Sequence, residues 1–170
     1  MSSRLNVMGI DPGKTVGIAV WLGTFPWYSS VIKQYQFDRV SALSMIEDWC
    51  RTSKADGVPT LIGCETFTPR RDRHTVMTTQ NDALEIIGAV KVFSDATGTI
   101  LSMQSPALAK RAMPSGTLKK FGWWVSEIEG RHANDAARHI GGALLLHHPQ
   151  VLMRLHDHAR SDEESVNGTS

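Results

Sequence analysis

Long apolar runs are missing from this chain, and its first residues, MSSRLNV, lack the basic-then-apolar pattern of a secretory leader. Nothing reaches the roughly 20 apolar residues that a membrane-spanning helix needs, so the expectation is a cytoplasmic protein with no membrane partner. Cysteine is scarce. Cys50 falls on a helical stretch and Cys64 in an apolar strand, which argues against a disulfide framework and for two reduced core residues. Excess charge of one sign is missing too: 18 Lys and Arg face 17 Asp and Glu, a formal net charge of +1. Whole-surface attraction to a polyanion is thereby excluded, and any such binding must use local basic patches.

What is present is an ordinary globular composition, 41% apolar and 21% charged over 170 residues. That is enough for one domain with a real core and too little for two lobes. One domain is expected over residues 1–156, with a polar, disordered tail over 157–170. The runs Leu5 to Ile10 and Val16 to Leu22, joined by the tight DPGKT connection, predict a β-hairpin. Val31 to Phe37 alternates apolar and polar residues, as a half-exposed strand does. A helix with Val40, Leu43, Ile46, Trp49 and Cys50 on one stripe follows. Thr60 to Cys64 reads as a central strand that ends at Glu65.

A second helix opens at Asn81, and a fifth strand spans Thr99 to Gln104. Ser105-Pro106 starts a short helix. Residues 114–130 are broken by Pro114, Gly116, Gly122 and Gly130 and read as irregular. The last helix, His132 to His148, stops at Pro149. The order is β-β-β-α-β-α-β-α. Right-handed crossovers put the fourth strand beside the first, in a five-stranded mixed α/β sheet of order 3-2-1-4-5 flanked by helices. Asp11 and Glu65 then stand side by side at neighbouring strand ends.

Four residues carry the chemistry: Asp11 in GIDPG, Glu65 in LIGCETF, and His132 with Asp135 in GRHANDAARH. The last two are spaced i, i+3 and share a helix face. Oxygen ligands suit Mg²⁺, and an imidazole is tolerated by a manganese-like ion. In two-metal phosphodiester cleavage one carboxylate bridges ions about 3.5–4 Å apart while others hold each from its own side. Taken singly, each residue has a plainer reading. Asp11 equally suits a turn aspartate bonded to its own loop, Glu65 a strand-end charge, and Asp135 a complement to the helix dipole. Their joint placement favours the metal site.

The motifs also bring a family into view. GIDPG after the first strand, a strand ending in glutamate, and the helical HANDAARH resemble the three catalytic motifs of the RuvC-like Holliday junction resolvases, members of the ribonuclease H-like superfamily whose divergent relatives of this length include phage-type ones. The resemblance runs from about Leu5 to His148. It implies a ribonuclease H-like fold, a homodimer, and an endodeoxyribonuclease that nicks opposing strands of a four-way junction with two Mg²⁺ ions per site, Mn²⁺ substituting. By it, Asp11, Glu65, His132 and Asp135 are the catalytic, metal-binding set. Its stacking aromatic falls at Phe67, slightly out of register, and the loop that follows carries the local basic segment Arg70, Arg71 and Arg73. Lys110, Lys119 and Lys120 fall in the family's second basic region, at a spacing that does not align with it. The compartment becomes the bacterial cytoplasm, or the host's if phage-encoded.

Other readings remain open. The same scaffold serves flap, fork or RNA–DNA hybrid nucleases, and a branched-DNA-binding protein without catalysis is the alternative from outside the enzymes. A nucleotide cofactor is not expected: GIDPGKT looks like a P-loop, yet Gly9 and Gly13 enclose three residues where that loop needs four. Trp123 and Trp124 after Lys119 and Lys120 suit base stacking and equally suit a covered helix end. His147, His148, His156 and His158 lack partners at zinc-ligand spacing.

Overall fold

The chain's first two apolar runs form the antiparallel pair β1 (Arg4–Asp11) and β2 (Val16–Thr24), in a computed structural model that describes residues 4–27, 30–67 and 77–167. β3 (Val31–Phe37) follows, then α1 (Arg39–Asp56), β4 (Thr60–Glu65), α2 (Met77–Thr97) and β5 (Ile100–Gln104). Four helices complete the chain: α3 (Pro106–Ala112), α4 (Ser115–Lys120), α5 (Glu127–His147) and α6 (Pro149–Asn167). The sheet order is β3-β2-β1-β4-β5, with β1, β4 and β5 parallel and β2 and β3 antiparallel to their neighbours. The expected mixed sheet and strand order are both found.

Alternation along the strands divides the core in two, because successive side chains point to opposite faces. Val7 and Leu61 face α5 and join Trp21, Met113, Ile140 and Leu144. Met8, Ile10, Ile62 and Cys64 face the other side and join Ile46, Cys50, Ile86 and Val90 from α1 and α2. Both cysteines are free and buried in this second layer. Gly9 and Asp11, and Gly63 and Glu65, continue the α5-facing series, so each strand delivers its acid on the α5 side.

Three of these inward positions carry no side chain, and α5 rests there on bare backbone. A Cβ on Gly17 would lie 2.0 Å from the His132 carbonyl oxygen, one on Gly9 1.9 Å from that of Ala136, and one on Gly63 2.2 Å from that of His139. The glycines lie on β2, β1 and β4, so α5 crosses three adjacent strands at backbone contact. Ala133, Ala136, Ala137 and Ala143 keep the helix side of this seam thin.

The chain's second half departs from the sequence expectation in two places. Residues 114–130 are not wholly irregular: α4 occupies Ser115–Lys120, and α5 already starts at Glu127, with non-helical torsions at Gly130 (φ −148°, ψ 25°). Asn134 holds the incoming segment against α5. Its Oδ1 accepts from the Val125 amide at 3.0 Å, and its Nδ2 donates to the Val125 carbonyl at 2.9 Å. The disordered tail expected from 157 is instead helix, since α6 runs to Asn167. Val151, Leu152 and Leu155 bury into the α5-side core and anchor it, and the polar remainder continues the same hydrogen-bond ladder. Pro149, expected as a stop for α5, opens α6, where its missing N–H costs nothing.

Candidate functional site

β1 and β4 are parallel neighbours whose register pairs Ile10 with Cys64, one residue before each acid. Asp11 and Glu65 therefore emerge together at the strands' C-terminal edge. α5 brings His132 and Asp135 over the same edge, and the four line one cleft of about 410 Å³ with Lys110, Arg131, Arg138 and His139. All four sequence-derived residues thus meet, from three elements, at the crevice outside the strand ends where open α/β sheets place their sites.

The acids are held by imidazoles. His132 Nδ1 stands 2.7 Å from Asp11 Oδ2, and His139 Nε2 stands 3.3 Å from Glu65 Oε2. Arg138 Nε donates to Asp135 Oδ1 at 3.1 Å, and its other nitrogens donate to the Met113 carbonyl and the Ser115 hydroxyl. β3 supports the helix's first regular turn, where Gln36 Oε1 accepts the free His132 amide at 3.1 Å. Burial pushes the Asp11 carboxyl above its ordinary range; the His132 hydrogen bond opposes this, and the charges of Glu65 and Asp135 add to it. His132 is raised in turn, chiefly by its hydrogen bond to Asp11. Both members of the pair shift upward because desolvation outweighs the bond on the buried acid alone.

Among the described residues, no three His, Cys, Asp or Glu side chains stand close enough to share one ion as placed. The donor chemistry nevertheless fits a hard divalent cation. Three carboxylates and two imidazoles face one cleft, and the mutual repulsion felt at Asp11 is the imbalance that a cation relieves.

The proposed DNA-contacting residues are dispersed. Lys110 lines the cleft. Lys119 stands over the Trp124 ring, 5.1 Å from its centroid, beside a second cleft of about 470 Å³ that shares Lys110, Arg131, Asp135 and Arg138 with the first. Lys120 lines a separate hollow with Trp21 and Trp27. Phe67 is half-buried against the α1/α2-side core rather than in the cleft. Arg70, Arg71 and Arg73 lie outside the described residues. Of the paired tryptophans, Trp123 is core and Trp124 borders the second cleft.

No protein-family profile and no curated protein matches the sequence. Solved structures do match. Thermus thermophilus RuvC in complex with a Holliday junction substrate superposes with a TM-score of 0.56 at 15% identity, over 81% of this chain and 91% of that one. A second structure of T. thermophilus RuvC gives 0.52 at 16% identity over 81% and 92%. The yeast mitochondrial Holliday junction resolvase Ydc2 gives 0.53 at 12% identity over 93% and 83%. The fold is that of the RuvC-like resolvases.

On this RuvC-like fold, sequence reasoning missed three cleft residues, Arg131, Arg138 and His139, and the buried Gln104 behind them. The signal for His139 was in the quoted motif: it stands four residues after Asp135 and seven after His132, on the same helical face. Gln104 carries no local signal. Its role follows from pairing with Glu65 in the parallel β4–β5 register.

Proposed function

We propose that this protein is a divalent-metal-dependent endonuclease that resolves four-way DNA junctions. The observation that carries the reading is the convergence of Asp11, Glu65, His132 and Asp135 on one cleft from two strand ends and one helix. A set of acids whose charges repel one another in a partly buried cleft weakens the fold unless a cation is meant to sit there. In the proposed assignment, Asp11, Glu65 and Asp135 would hold the Mg²⁺ ions, and His132 would complete the site or assist the leaving oxygen. When bound, such ions supply an activated water and neutralise the departing oxygen.

The chain's own residues do the rest. Arg138 fixes the Asp135 carboxylate through Nε while its remaining donors tie it to Met113 and Ser115. Lys110 and Arg131 at the cleft wall meet phosphate oxygens without reading sequence. A homodimer suits two symmetric nicks, one per protomer. The junction-bound RuvC whose fold this chain shares favours a four-way substrate over flaps, forks or RNA–DNA hybrids.

The test is labelled four-way junction, flap and duplex DNA incubated with the protein in Mg²⁺ and in Mn²⁺. Paired symmetric nicks on the junction are expected, and Asp11→Asn should abolish them while leaving junction binding intact. Tight binding with no cleavage in either ion would make the protein a branched-DNA binder, and preferential cutting of flaps would move the substrate assignment.

A further inference from the structure

Behind Glu65 lies a polar assembly that a strand-end carboxylate has no need of. His139 and Gln104 are each 1% exposed, among the most buried polar side chains of the protein. The Gln104 amide donates from Nε2 to the His139 carbonyl at 3.1 Å and contacts the Ser102 hydroxyl at 3.4 Å. Those contacts fix the amide's orientation, since the reverse would set its oxygen against a carbonyl oxygen. Oε1 therefore faces His139 Nδ1, at 3.2 Å, and accepts its N–H. Space for the amide is made by glycine: a Cβ on Gly142 would lie 2.2 Å from Gln104 Oε1, and one on Gly63 2.8 Å from Nε2.

With Nδ1 committed to Gln104, the ring turns Nε2 toward Glu65 Oε2, at 3.3 Å in the cleft floor. A proton on Nε2 or a cation between the two atoms satisfies that contact, and a divalent ion bound there takes the proton's place. A pair of adjacent ligands about 2.1 Å from a six-coordinate ion stands roughly 3 Å apart, close to the separation seen here. Donation of the second ring nitrogen to an oxygen acceptor is also how metal-binding histidines are oriented. The contact at the other acid is different: the His132 side chain is 44% exposed and sits 2.7 Å from Asp11, a direct hydrogen bond.

We propose that His139 is a metal ligand, sharing one divalent ion with Glu65, and that Gln104 is the positioning residue that sets its tautomer. The assignment rests on the metal-dependent reading of the cleft and adds to it a buried nitrogen donor. The four residues of the sequence motifs are then an incomplete ligand set.

The test uses the full chain with one equivalent of Mn²⁺ and no DNA. Pulsed electron paramagnetic resonance reads the ¹⁴N coupling of coordinated imidazole, and titration reads affinity. His132→Gln removes only the half-exposed ring, so the coupling that remains must come from another histidine. Retained coupling in His132→Gln, lost in the His132→Gln/His139→Gln pair, is the expected result. Should that pair fail to fold, His132→Gln/Gln104→Leu keeps the ring but frees its tautomer, and Mn²⁺ affinity should fall at least about tenfold. Loss of all coupling in His132→Gln with tight binding preserved would overturn the His139 assignment alone. Coupling that survives in a folded double variant would overturn it as well. Failure of the wild type to bind Mn²⁺ at all would instead overturn the nuclease reading together with it.

Discussion

Substituting Gly9 by alanine tests whether the two halves of the cleft are spaced by backbone contact. The new Cβ would begin 1.9 Å from the Ala136 carbonyl oxygen, with Ile140 Cγ1 at 3.1 Å. Reaching ordinary contact near 3.4 Å requires α5 and β1 to part by about 1.5 Å. Neither element yields easily: β1 is central in the sheet, and α5 is packed between it and α6. Overpacking of this kind costs about 1–3 kcal/mol, and a backbone clash belongs at the upper end. In a domain of this size 3 kcal/mol corresponds to a fall in Tm of roughly 6–12 °C. The same displacement carries His132 and Asp135 away from Asp11 and Glu65, and misplacement by 1 Å costs catalysis about a hundredfold. Thermal denaturation, Mn²⁺ titration and junction cleavage would be measured together, with Gly88→Ala as the control. A Cβ at Gly88 meets nothing within 4 Å, so that change should stabilise α2 by about 0.5–1 kcal/mol and leave cleavage intact. A Gly9→Ala protein as stable and as active as the wild type would refute the argument.

His132 is raised by its bond to Asp11, so in metal-free protein it stabilises the fold fully below its ordinary value and ceases to do so as pH rises through the raised one. His132→Ala should therefore lower Tm more at about pH 5.5 than at about pH 9; an equal loss at both would sink the ion-pair account. Cys64 is buried and its thiol is pushed up to about 12, chiefly by desolvation, so a thiol reagent near neutral pH should leave it unmodified until the protein unfolds. Fast labelling of native Cys64 would contradict its placement in the core. Replacing Arg70, Arg71 and Arg73 together with alanine should weaken junction binding and flatten its dependence on salt, by up to about one unit of slope for each phosphate no longer neutralised. An unchanged slope would mean that these arginines meet no phosphate.

Legibility in the sequence followed the reach of each signal. Alternation and apolar runs are local, so the strands, their order and the convergence of Asp11 with Glu65 could be read in advance. The i, i+3 spacing made His132 and Asp135 readable as a pair, and the same logic extended by one turn would have included His139. Gly9, Gly17 and Gly63 could not be distinguished from ordinary strand glycines, because their necessity lies in a helix more than 70 residues away in sequence. Gln104, the last residue of the fifth strand, is equally silent in sequence, because its partner His139 lies on α5. The polar C-terminal stretch misled in the other direction. Its composition favours solvent, while three apolar residues at its start, Val151, Leu152 and Leu155, suffice to seed a helix on the core.

Asn134, one position before Asp135, grips with a single side chain both backbone polar groups of Val125, the residue directly after Trp124 in the chain. The segment that borders the second cleft is thereby mounted on the helix that carries His132 and Asp135, rather than on the sheet that carries Asp11 and Glu65. A strand of nucleic acid lying on the Trp124 indole would be indexed to Asp135 and His132 by one rigid part. Its register relative to Asp11 and Glu65 would follow the seating of α5 on Gly9, Gly17 and Gly63.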